Sequence, residues 1–159
     1  MKEKGFTIIE TTVATFIIFA VSAISVKPIQ AALASYRLGS TAEGISATFY
    51  RARSEAVSKN ANVDVLFSQT GNSYGIDENN NGVLDPAEAI ALPAGTTLGL
   101  PTGAAEPAVI RFTSRGEMPI TAASPVLANP PYVQVSGGGR TQQVSVSLRG
   151  SVSITTITG

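Results

Sequence analysis

From Phe6 to Val26 every residue except Glu10 is apolar, Ala, Ser or Thr, and the stretch from Thr11 to Val26 carries no charge. A run of that kind approaches the ~20 residues a helix needs to cross a bilayer. Lys27 and Pro28 close it. Proline inside a helix removes a hydrogen bond and crowds the preceding turn, so the pattern predicts a kink near Pro28 rather than a full stop. Beyond it the pattern turns amphipathic. Ile45, Phe49, Ala52 and Ala56 step by four, three and four residues and fall on one narrow arc of a helix. Arg51, Arg53 and Glu55 flank that arc, and Arg51–Glu55 and Glu55–Lys59 are i,i+4 ion pairs. Gly39 and Gly44 predict a bend or loosening, and Asn60 and Asn62 suit the helix end.

After Asn62 the period changes to two. Val63 to Phe67 alternates, Thr70-Gly71-Asn72-Ser73 reads as a turn, and Tyr74-Gly75-Ile76 follows as its partner strand. Further strands are expected at Ala89–Leu92, Ala108–Thr113, Tyr132–Ser136, Gln142–Leu148 and Ser151–Ile157, the last two joined as a hairpin through Arg149-Gly150. Pro93–Pro107 and Pro119–Pro131 are Pro/Ala/Gly-rich and read as loops with little regular structure. The predicted fold class is α+β. A long N-terminal helix, membrane-spanning in its first half (6–28) and amphipathic in its second (29–62), lays its apolar stripe on an antiparallel β domain (63–159).

Composition narrows the chemistry. The 159 residues hold 11 basic and 11 acidic side chains, a net charge of zero that gives no global pull toward nucleic acid or anionic lipid. Cysteine and histidine are both absent, which removes disulfides, thiolate metal sites, the commonest zinc ligand and the usual proton shuttle near neutral pH. No spacing suggests a Ser-Lys or paired-carboxylate site either, so the chain is read as a non-enzyme.

The N-terminus departs from an ordinary secretory signal, whose small-residue cleavage site follows the apolar run. Here the good junction, Lys4-Gly5-Phe6, precedes it, so a cut there would keep the helix and discard a short basic tail. Lys2 and Lys4 would stay in the cytoplasm and put the C-terminal part outside. Glu10 is the sharpest clue. A carboxylate on a membrane helix is costly and is normally there for function.

Gly5-Phe6-Thr7-Ile8-Ile9-Glu10 resembles the prepilin processing motif of type IV pilins and type II secretion pseudopilins. Ala52 to Asn60 resembles the helix end, and Arg111-Phe112-Thr113-Ser114-Arg115-Gly116 a strand and turn, of the GspH/FimT group of minor pseudopilins. The resemblance implies a leader at residues 1–5, cleavage between Gly5 and Phe6 by a prepilin peptidase, methylation of the new Phe6 amine, and a docking role for Glu10 in filament assembly. It implies a pilin-like fold and a single-pass protein of the bacterial inner membrane with its β domain in the periplasm. It also implies partnership with other pseudopilins or pilins and with an inner-membrane assembly platform. The function so implied is that of a minor pseudopilin, an assembly or tip subunit of a short periplasmic filament that drives protein export. A minor type IV pilin for pilus assembly, adhesion or DNA uptake is the alternative. A membrane-anchored calcium-binding or adhesive module that does not polymerise is a third reading.

Two further constellations stand out. Asp77 to Glu88 fits the calcium-loop pattern D-x-[DN]-x-[DN]-G-x₅-E in full. Asp77, Asn79 and Asn81 offer side-chain oxygens, Val83 its carbonyl, Asp85 a direct or water-mediated ligand and Glu88 two oxygens, while Gly82 allows the sharp turn. No cofactor is required by the filament reading, and Ca²⁺ is the one candidate. The competing reading is a plain hairpin tip, where Asp, Asn and Gly are favoured for their backbone tolerance. Arg111, Arg115, Arg140 and Arg149 could form a basic face, but no aromatic residues interleave with Arg140 and Arg149 to stack bases. A basic Gly-Arg-rich tail is missing as well, so nucleic-acid binding is disfavoured.

Overall fold

The computed structural model describes residues 5, 7–119 and 131–157, and only the backbone of 23–26. The Phe6 cleavage and methylation site, the leader residues 1–4 and most of the Pro119–Pro131 connection lie outside the described residues. The elements run α1 (Ile8–Lys59), β1 (Val63–Ser68), β2 (Ser73–Asp77), β3 (Ile90–Ala91), β4 (Thr96–Gly99), β5 (Ala108–Phe112), β6 (Tyr132–Gly137), β7 (Arg140–Val146) and β8 (Val152–Ile157). By contact, the chain divides into two compact units, Met1–Leu33 and Ala34–Gly159.

In the first unit the helix begins at a cap. The hydroxyl of Thr7 accepts the backbone N–H of Glu10 at 3.3 Å, the Ser/Thr-x-x-Glu arrangement of a capping box. The interior hydroxyls of Thr11, Thr12, Thr15 and Ser22 donate back to the carbonyls four residues earlier, so none is left unsatisfied in an apolar setting. Pro28 sits inside α1, and the helix does not stop there. The end is set by Asn60, which adopts φ 49°. Its N–H bonds the Val57 carbonyl and that of Ala61 the Ala56 carbonyl, the paired bonds of a Schellman cap.

In the second unit the expected helix face is buried, and it is longer than the sequence pattern suggested. Ile45, Phe49, Ala52 and Ala56 have no exposed surface, and Leu38 and Ala42 extend the same stripe two turns upstream. Burying a phenylalanine side chain is worth roughly 1.5–3 kcal/mol. Here the Phe49 ring meets Phe67 of β1 and Phe112 of β5 with centroids 5.7 and 6.1 Å away.

The strands form two antiparallel four-stranded sheets, β3-β2-β1-β5 and β4-β6-β7-β8, where the sequence predicted strands without resolving two sheets. One expectation fails. The Pro93–Pro107 stretch is not wholly loop, because Thr96–Gly99 is β4, an edge strand with buried Thr96 and Leu98 facing inward. Its alternation is only four residues long and bracketed by Pro and Gly, so pairing with β6 supplies what local propensity does not. Asn72 ties the sheets together. Lying in the β1–β2 turn, its side-chain amide donates to the Thr96 carbonyl at 2.9 Å and accepts the Leu98 N–H at 2.7 Å.

Candidate functional site

The residues singled out in the sequence fall in three places. At the start of the chain Gly5 precedes the helix, and a Cβ there would meet nothing within 4 Å, so this backbone stands clear. Glu10 is the third residue of α1 and lies in its first turn, where a carboxylate is favoured by the helix dipole. Its side chain is exposed. The apolar residues that follow are exposed as well, Phe16 by 74% and Phe19 by 71%. Uncovered surface of that extent has to be met by lipid or by other apolar helices. By length and composition α1 contains a segment able to cross a membrane.

The second place is the loop between β2 and β3. Strand β2 delivers Asp77 at its end, only 3% exposed, and the chain then turns through Asn80 at φ 55° and Gly82 at φ 74°. The Asp77 carboxylate accepts the N–H groups of Asn81 and Gly82 at 3.1 and 2.8 Å. The Asn79 side-chain oxygen accepts the Asn81 N–H, and the Asn81 oxygen accepts the Val83 N–H. Both amide nitrogens, Nδ2 of Asn79 and of Asn81, donate to the same Asp85 oxygen at 2.8 and 3.0 Å. Glu88 returns the loop to β2: its Oε1 accepts the Glu78 N–H at 3.1 Å, and its Oε2 is buried without a hydrogen-bond partner. The structure thus gathers Asp77, Asn79, Asn81 and Asp85 around one turn and sets Glu88 at its base. Among the described residues no three acidic side chains already form a ready metal site.

Behind this loop lies a charge ladder that the sequence did not disclose. Asp77 of β2 stands directly opposite Asp64 of β1, and Asp64 stands opposite Arg111 of β5. Arg111 grips Asp64 through two bonds of 2.6 and 2.5 Å, and this contact is the main reason its guanidinium pKa is raised. Alternation along each strand was visible, but which residue faced which depended on register.

The basic residues form the third group. Arg111 is committed to Asp64, Arg140 donates to the Ser35 hydroxyl at 3.3 Å, and Arg149 lies in the turn between β7 and β8. Arg53, which the sequence placed only beside the helix arc, donates to the Gly150 carbonyl and packs under Gly116 and Gly150, whose positive φ values of 71° and 75° shape the two turns above it.

Residues 41–150, from the second half of α1 to the β7–β8 turn, match the family model described as type II transport protein GspH. The fold is shared with the type IV minor pilin FimU of Pseudomonas aeruginosa strain PAO1, at 20% identity and a TM-score of 0.56, over 76% of this chain and 90% of that one. It is shared also with the minor pseudopilin EpsH from the type 2 secretion system of Vibrio cholerae, at 14% identity and a TM-score of 0.55, over 76% and 97%. No curated protein matches the chain at a significant level.

Proposed function

The chain belongs to the GspH family of pilin-like filament subunits, and from that premise we propose that it is a minor pseudopilin of a type II secretion system, an assembly or tip subunit of a short periplasmic filament that drives protein export. The observation that carries this reading is the match to a type II transport protein over residues 41–150. The exposed apolar first half of α1 and the early carboxylate of Glu10 fit it.

The mechanism is assembly rather than catalysis. A prepilin peptidase removes residues 1–5 and leaves a charged, methylated amine on Phe6. The helix waits in the inner membrane, single-pass, with the β domain in the periplasm. The assembly platform then moves it into the filament, where apolar helices replace lipid around Phe16 and Phe19. Glu10 in that core would be an unpaired buried carboxylate unless an opposite charge meets it. The Phe6 amine of a neighbouring subunit, shifted by about one helical turn of ~5.4 Å, supplies that charge.

The likeness to a minor pilin, whose TM-score equals that of the pseudopilin within 0.01, supports a second reading in which the same machinery builds a type IV pilus. Deleting the gene in its native host separates the two. Exported enzymes trapped in the periplasm with pili intact are the expected result. Intact export with lost pili would overturn the secretion reading in favour of the pilus.

A further inference from the structure

We propose that the loop from Asp77 to Glu88 is a calcium site, a function separate from filament assembly and independent of which machinery the subunit serves.

Two observations beyond the sequence pattern point to a cation. The first is buried negative charge held by two N–H groups but by no cation. Asp77 is 3% exposed and faces Asp64, itself 7% exposed, across the β1–β2 ladder. Like charges directly opposite are unfavourable on a sheet. Arg111 neutralises Asp64 alone, and Glu78 on the same loop pairs outward with Arg51. Among the described residues no cation pairs with Asp77, Asp85 or Glu88. The second is the orphaned Oε2 of Glu88, buried with no partner although the same carboxylate holds the Glu78 N–H with its other oxygen. A buried acceptor left unsatisfied is costly unless something fills it.

The backbone is arranged to bring these groups to one ion. A Cβ on Gly75 would stand 2.2 Å from the Glu88 carbonyl oxygen, so only glycine lets the return of the loop lie on β2 beside Asp77. Asn79 and Asn81 already converge with Asp85, their amide nitrogens occupying the direction from which a cation would approach. Their oxygens accept the Asn81 and Val83 N–H groups and each keeps a second lone pair for a cation once the amides leave Asp85. Asp77, Asn79, Asn81, the Val83 carbonyl, Asp85 and a bidentate Glu88 then give the six to eight oxygens that calcium prefers. The donor set is all oxygen, which disfavours zinc, and a loop of mixed donors does not offer the strict octahedron of magnesium. Three carboxylates cannot converge without a counter-charge, and a divalent cation supplies it.

The experiment is calorimetric titration of full-length, chelator-stripped protein in detergent with CaCl₂, with MgCl₂ as comparison, alongside thermal melts. One calcium per chain is expected, with a dissociation constant on the order of 10⁻⁴–10⁻³ M as in extracellular modules, and a melting temperature raised by calcium. Glu88→Gln and Asp85→Asn should each weaken binding by roughly tenfold or more while melting like the parent in chelator. Asp85→Asn keeps the test valid if Glu88→Gln folds poorly. Absence of binding heat and of a melting shift up to about 10 mM calcium would overturn the site. So would equal binding of magnesium, or undiminished calcium binding in Asp85→Asn.

Discussion

The hydroxyl of Tyr74 lies over the backbone of Gly44, so close that a Cβ on that glycine would stand 2.9 Å from the oxygen. Tyr74 is 5% exposed and its ring stacks on Phe67 at a centroid distance of 6.1 Å, so it has little room to retreat. A glycine inside a helix normally weakens it by roughly 0.5–1 kcal/mol against alanine. The glycine that the sequence marked as a loosening of α1 is therefore where a strand side chain docks.

Gly44→Ala should destabilise the protein despite the better helix propensity of alanine. Combined with Tyr74→Phe, which removes the obstructing oxygen, the change should become neutral or favourable. The coupling between the two sites is expected at about 0.5–3 kcal/mol, as for residues in contact. Urea unfolding of the four proteins, followed by circular dichroism, measures it. Strict additivity would mean that the Tyr74 hydroxyl does not limit this position.

Burial raises the Tyr74 phenol above its ordinary value of 10.0, with a hydrogen bond to Thr48 acting weakly the other way. A folded-state value above the unfolded one gives stability that is whole below the unfolded value and is lost as pH rises through the folded one. Stability should therefore fall on the alkaline side of about pH 10. Tyr74→Phe should flatten that limb, which denaturant melts across the alkaline range will reveal.

Phe49 anchors the helix to the β1–β2–β5 sheet through its contacts with Phe67 and Phe112 and has no exposed surface. Phe49→Ala should cost about 3–5 kcal/mol. Tyr50, the next residue, is 50% exposed, and Tyr50→Ala should change stability by no more than about 0.5 kcal/mol. Equal effects in thermal or urea unfolding would mean that the helix face is misassigned.

Glu10 carries two roles that one pair of variants separates. As the third residue after the Thr7 cap it stands where a capping-box side chain, glutamate or glutamine, can reach back to the helix start. As the proposed partner of a neighbour's amine it must be charged. Glu10→Gln and Glu10→Ala should both insert in the membrane and be cleaved, giving intact masses that begin at Phe6. Neither should crosslink to sister subunits on co-expression. Full crosslinking by Glu10→Gln, with failure of Glu10→Ala, would assign Glu10 to the helix start alone.

The sequence by itself determined the local elements, because their signals repeat over short distances. An uncharged run of spanning length, a three-four stripe from Ile45 to Ala56, period-two strands and Asn60 at the helix end are each written within a few residues of one another. The pattern of oxygen-bearing side chains from Asp77 to Glu88 is local in the same way, contained within one loop. Tertiary structure decided what depends on partners far along the chain. Thr96–Gly99 became a strand only because β6 accepts it, and the β strands divided into two sheets that Asn72 stitches together. Asp77, Asp64 and Arg111 fell into one row because the register of three strands placed them there. Propensity and period act between neighbours in sequence. Pairing and packing join residues 41 to 49 positions apart, as between β1 and β5, where no local pattern reaches.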